Sequence, residues 1–148
     1  METWNGNGKG KFRIALPNKG ALCQPALDML KKAGFAAVDS PQDALCARCE
    51  DDRVEILFVR AQDISKYVDS GAAYAGITGL DVLEEDSAAA RRMMDLGFGA
   101  CEVAVAVPEE SGITSVKQLE GKRIATKLKN NSRKYLAQNK VKTELVEL

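Results

Sequence analysis

The sequence predicts an α/β chain organised in two lobes. Three observations carry this. Short β-type runs alternate with segments of helical periodicity, several of these segments close on Pro or Gly, and the composition shifts to small residues around 95–99. Alternation of this kind implies parallel strands joined by helical crossovers. The chain has 148 residues, of which 45% are hydrophobic, so it is long enough to bury a core without a disulfide or metal staple.

Residues 12–16 (FRIAL) form the first β-type run, closed by Pro17. Leu22, Ala26, Met29 or Leu30, and Ala33 then recur at helical spacing, with Pro25 tolerable near the helix start and Gly34 as its stop. The mixed apolar run 54–59 suits a strand buried on both faces. After Arg60 comes a second helix, with Asp63 in its first turn, Ile64, Tyr67 and Val68 on its inner face, and Gly71 as its stop. Residues 75–79 read as a third short strand entering a turn, and 80–85 as a short helix whose acids, Glu84 to Asp86, form a solvated end. The lobe boundary falls at 95–99, giving a flexible lead-in over 1–11, a first lobe over 12–100 and a partial second lobe over 101–148. In the second lobe we expect a strand at 102–107 and a capping box from Ser115 to Gln118 opening a short helix that ends at Gly121. A brief strand at 123–125, a helix over 131–139 capped by Asn131, and a strand at 144–148 follow. A parallel edge strand at which the sequence stops leads us to expect the front part of something longer.

Charge and composition remove several functions. There are 21 Lys+Arg against 21 Asp+Glu, aromatics are 5%, and there is no histidine. A basic or stacking footprint for nucleic acid is therefore lacking, as is an imidazole for metal ligation, proton relay or a Ser-His-Asp triad. Residues 1–11 contain no apolar core of a signal peptide, and no stretch approaches the ~20 apolar residues of a membrane span, so a cytoplasmic protein without a membrane partner is expected. Cys23, Cys46, Cys49 and Cys101 are then expected as free thiols. The Cys46-Ala47-Arg48-Cys49 motif lacks a second pair and does not link a strand to a helix, which argues against zinc and against redox chemistry. The Gly6 to Gly10 run precedes a strand rather than following one, so it is no dinucleotide fingerprint.

Three loops follow predicted strands, where open α/β sheets bind ligands. In the first, Lys19 and Gly20 lie between a strand end and a helix start, a setting that favours phosphate; an ordinary turn with a solvated Lys is the alternative. In the second, Arg60 brings a planar fork of donors to a strand end, with a surface ion pair to Asp63 as the alternative. In the third, Thr78, Gly79 and Asp81 offer a hydroxyl, a close backbone approach and a carboxylate suited to a ribose hydroxyl or a hydrated Mg²⁺. Asp81 capping the next helix is the alternative there.

Taken in order, RIALPNKG at 13–20, FVRAQDI at 58–64, GITGLD at 76–81 and LGFG at 96–99 resemble the ATP phosphoribosyltransferase family, and the likeness extends over about 12–148. The resemblance implies a two-lobed α/β fold of the type II periplasmic-binding-protein kind, with the second lobe incomplete here. It implies an enzyme, a glycosyltransferase that moves the 5-phosphoribosyl group of phosphoribosyl pyrophosphate to N1 of the adenine of ATP. Pyrophosphate is released, Mg²⁺ is the cofactor, and the reaction is the first of histidine biosynthesis. ATP and phosphoribosyl pyrophosphate are the implied partners, with a homo-oligomer in the full-length enzyme. The implied substrate-binding residues are Lys19, Gly20, Arg60, Asp63, Thr78, Gly79 and Asp81, with no protein metal site.

Three departures stand out. Ala21 occupies a position where many members carry Arg, and only Asn130 and Arg133 keep the family pattern after Lys127. The family's Gly/Thr-rich loop for the ribose 5-phosphate is expected beyond Leu148, so the chain alone is expected to be inactive. A non-catalytic small-molecule-binding module of the same fold is the competing expectation.

Overall fold

The computed structural model describes residues 10–38, 45–86 and 89–148. The lead-in over 1–9, with most of the Gly6 to Gly10 run, lies outside them. The chain divides into two compact units, one ending at Ala100 and the other spanning Cys101–Leu148.

The first unit is a four-stranded sheet in the spatial order Cys46–Arg48 (β2), Val54–Val59 (β3), Phe12–Pro17 (β1) and Ala75–Gly76 (β4). Strand β1 (Phe12–Pro17) is central, pairing in parallel with β3 (Val54–Val59) on one side and β4 (Ala75–Gly76) on the other. The chain passes from β1 through α1 (Cys23–Lys32) to β3, then returns through α2 (Ile64–Asp69) across β1 to β4. Crossovers of one hand running in opposite directions place their helices on opposite faces, and the packing agrees. Ile14, Leu16, Val54, Ile56 and Phe58 meet Ala26 and Leu30 of α1, whereas Ala15, Leu57 and Val59 meet Ile64 and Val68 of α2. The alternation is the two-residue period of a strand read on two apolar faces. Helix α3 (Leu80–Asp86) follows β4.

Four expectations are corrected in this unit. Strand β2 (Cys46–Arg48), antiparallel to β3, is not anticipated by the sequence; three residues with a charged Arg48 give too short a pattern. The second helix opens with a 3₁₀ turn, Ala61–Asp63, before α2. Tyr67 is 39% exposed rather than inward, and Ser65, at 1%, takes the buried position. The acidic end of α3 is only partly solvated, because the Ser65 hydroxyl donates a hydrogen bond to Asp86 Oδ2. That bond offsets the unfavourable placing of an acid at a helix C-terminus.

The second unit pairs β5 (Arg123–Thr126) in parallel with β6 (Glu144–Glu147), joined through α4 (Lys129–Gln138). Leu119, Leu136 and Val141 form its core, with Ile124 and Leu145 packed against them. The expected strand at 102–107 is absent. These residues pair with no strand among the described residues, and Val103 stays 63% exposed, since an apolar alternation makes a strand only where a neighbouring edge accepts it. Ser115 and Gln118 form the expected capping box, with Gln118 Oε1 accepting from the amides of Ser115 at 3.0 Å and Thr114 at 2.8 Å. The helix it opens is 3₁₀ (Val116–Leu119). Helix α4 begins at Lys129, with Leu128 at its N-cap, so Asn131 lies inside the helix.

Candidate functional site

Strands β1 and β3 are neighbours whose following helices leave on opposite faces. That arrangement opens a crevice at their C-terminal ends, the place where open α/β sheets take ligands. Its floor is fixed by the backbone: Pro17 is fully buried in register with Val59, and the Asn18 amide donates to the Val59 carbonyl at 2.8 Å. Lys19 and Gly20 follow directly and are exposed. Gly20 has φ +87°, a left-handed conformation that costs a residue with Cβ about 1–2 kcal/mol. Leu22 takes the N-cap of α1 and no side chain caps that helix; the Cys23 amide donates to the Gly20 carbonyl at 3.2 Å and Pro25 has no N–H, so in the first turn the Gln24 amide remains for solvent or an anion.

On the other wall, Arg60 is the extended residue leading into the Ala61–Asp63 turn and is exposed. It makes no ion pair among the described residues. Asp63 instead meets Lys66 Nζ at 3.7 Å, so the alternative of an Arg60–Asp63 pair is not seen and the guanidinium faces solvent. The third loop is tied to the second: Thr78 Oγ1 donates to the Ala61 carbonyl at 3.1 Å. The Thr78 hydroxyl thus holds two loops together. Gly79 carries the first carbonyl of α3, accepting from the Leu83 amide at 3.1 Å, and the Asp81 carboxylate lies so close over it that a Cβ at position 79 would collide. Asp81 sits in the first turn of α3, where a negative charge is favoured.

Leu22 connects this rim to the LGFG segment. Gly99, with φ +73°, passes so close to the Leu22 side chain that a Cβ would overlap it, while Leu96 and Phe98 pack against the core on the α1 face. The sequence shows these glycines but gives no signal of the Leu22 contact, which joins residues distant along the chain.

Among the described residues no group of three Cys, Asp or Glu side chains converges as a metal cage. Asp63 and Asp81 are carboxylates of the rim loops, which suits an ion carried mainly on substrate phosphates and touching one or two protein carboxylates. All four cysteines are free. Cys49 is buried, and burial, with Asp51 adding to it, raises its thiol pKa; Cys46 is exposed on β2. No helix among the described residues is long and apolar enough to cross a membrane.

A sequence model of the ATP phosphoribosyltransferase family matches residues 60–148. The ATP phosphoribosyltransferase of Methanocella arvoryzae is 40% identical over 136 residues, covering 92% of this chain and 48% of the relative. That of Bifidobacterium longum is 40% identical over 137 residues, covering 93% and 48%. A solved structure described as the ATP phosphoribosyl transferase (HisG:HisZ) complex from Thermotoga maritima superposes with a TM-score of 0.65 at 26% identity, covering 93% of this chain and 64% of that chain. The chain thus spans about half the length of the curated relatives it matches. A match of this extent, on a sheet whose loops carry the motifs in the same order, means that the chain belongs to the ATP phosphoribosyltransferase family.

Proposed function

We propose that the protein takes part in transferring the 5-phosphoribosyl group of phosphoribosyl pyrophosphate to N1 of the adenine of ATP, with pyrophosphate as leaving group. In this reading the fold is that of a two-lobed type II periplasmic-binding-protein-like enzyme of the glycosyltransferase class, working in the cytoplasm as a homo-oligomer. The observation that carries it is the β1/β3 crevice, where an unpaired Arg60 and an exposed Lys19 stand beside an uncapped helix start in a member of this family.

Displacement at an anomeric carbon asks little covalent help of a protein. It asks for cations on the departing pyrophosphate and for alignment of two polyanions. Lys19 and Arg60 supply the positive charge, and the Gly20 loop and the Gln24 amide in the first turn of α1 add oriented donors. Thr78 keeps the second and third loops in one register, while Gly79 and Asp81 line the nucleotide side. Mg²⁺, when bound with the pyrophosphate, would neutralise it further, with Asp63 or Asp81 as its protein contact.

Isothermal titration of the chain with phosphoribosyl pyrophosphate and Mg²⁺ tests this. Arg60→Ala is expected to cost about 1.5–3 kcal/mol of binding, the range of a hydrogen bond to a charged group. Unchanged affinity would overturn the assignment. Because the family's Gly/Thr-rich phosphate loop has no counterpart within these residues, the 148-residue chain alone is expected to bind without measurable turnover.

A further inference from the structure

The second unit carries a cationic concavity that the crevice chemistry does not use. It has a volume of about 560 Å³, within the size range of small-molecule sites, and lies between α4 and the approach to β6. Lys129, Arg133, Lys140 and Lys142 line it above an apolar floor around Leu136. Lys129 Nζ meets Glu147 Oε2 at 3.8 Å, and Arg133 Nη1 donates to Asn130 Oδ1 at 2.9 Å. Lys140 and Lys142 make no ion pair among the described residues. The wall also holds Thr143 Oγ1, which is buried with no hydrogen-bond partner, a state that costs free energy until something pairs with it.

Lys140 adds an independent observation. It is the only non-glycine residue with positive φ among those described, at 57°. The bonds from the Lys140 amide to the Ala137 carbonyl and from the Val141 amide to the Leu136 carbonyl, each 3.0 Å, close α4 in a Schellman motif with Lys140 at the position that ordinarily holds Gly. The backbone is thus strained to keep a cation at the rim, and retained strain of this kind gathers at ligand sites.

We propose that this concavity binds a phosphomonoester with a small apolar body. A phosphoryl group carries about −1.5 to −2 charges and three acceptor oxygens, matching the two unpaired ammonium groups better than a single carboxylate does. Thr143 Oγ1 supplies a hydroxyl at its base, and the floor around Leu136 receives the apolar part.

The test is an NMR titration of the 148-residue chain with phenyl phosphate, compared with inorganic phosphate and with phenol. The expected result is amide shifts concentrated at 129–145, with phenyl phosphate binding more tightly than either fragment. Lys140→Gly should raise the melting temperature by relieving the strain and yet weaken phenyl phosphate binding about tenfold, the factor equivalent to 1.4 kcal/mol. Lys142→Ala should weaken binding similarly, and Arg60→Ala should leave it unchanged, which separates this site from the crevice. Phenyl phosphate binding no tighter than inorganic phosphate, shifts spread over lysines of both units, or Lys140→Gly raising stability without loss of affinity would each overturn the proposal.

Discussion

Arg13 of β1 and Glu55 of β3 stand opposite one another in the parallel register, and Arg13 Nε donates to Glu55 Oε2 at 2.8 Å with both side chains nearly enclosed, at 12% and 8% exposure. Their alternation puts them on the α2 face of a sheet whose other positions there are apolar. Removing one partner strands a charge in a place that water reaches poorly. Glu55→Leu is expected to destabilise the chain by about 3–5 kcal/mol, whereas the double change Arg13→Met with Glu55→Leu should recover most of that loss. Chemical denaturation of the two variants is the measurement, and equal losses in both would show that the pair itself contributes the stability.

Gly76 is where β4 meets α2. An added Cβ would overlap the Ile64 side chain and press on Val68 at 3.3 Å. Gly76→Ala should therefore push α2 away from the sheet at a cost of about 1–3 kcal/mol, typical of overpacking. Gly34→Ala provides the contrast, since no atom lies within 4 Å of its Cβ position and only its φ of +88° opposes the change. Urea unfolding should show an altered slope for neither variant and a shifted midpoint for both.

Asp51 accepts from both the backbone amide and the guanidinium of Arg53, at 3.0 Å and 2.7 Å, in the turn before β3. The side-chain hydrogen bond from Arg53, then the backbone one, lowers its pKa from 3.8 to about 2. A depressed carboxylate stabilises the fold above its ordinary pKa and loses that contribution as pH falls from 3.8 to about 2. NMR titration should place the Asp51 midpoint near the lower value, and Arg53→Ala should return it towards the ordinary one. An Asp51 midpoint unmoved by that substitution would contradict the assigned cause.

The two thiols of the Cys46–Cys49 motif should differ in reactivity. Cys49 is 2% exposed with its pKa raised, while Cys46 and Cys101 are exposed. Thiolate availability and access both govern alkylation. Iodoacetamide at mildly alkaline pH is expected to label Cys46 and Cys101 first and Cys49 only on unfolding. Mass spectrometry of timed samples measures the order.

The elements legible in the sequence are those whose pattern repeats over several residues: β1, closed by Pro17, α1, followed by Gly34, and β3 and α3. Where the pattern is short or depends on a partner, it misleads. Strand β2 pairs along the edge of β3, whereas the run at 102–107 pairs with no strand among the described residues. The same limit applies at the rim. Lys19 and Arg60 can be assigned to strand ends from local pattern, but Asp63 turning to Lys66, Thr78 bonding Ala61 and Leu22 resting on Gly99 are decided by tertiary distance. Lys140 carries a left-handed conformation that its residue type does not advertise.

The central place of β1 also bears on synthesis. Because Phe12–Pro17 is bounded by Val54–Val59 on one side and Ala75–Gly76 on the other, this strand leaves the ribosome ahead of both and finds neither neighbour until much of the unit has followed it. Pairings so distant along the chain are intrinsically slow to form. The nascent chain must hold an apolar segment unpaired meanwhile, exposed to aggregation and to chaperones. Lys19 and Arg60 come together only once that wait ends, so ligand binding at the crevice would report completion of the whole unit.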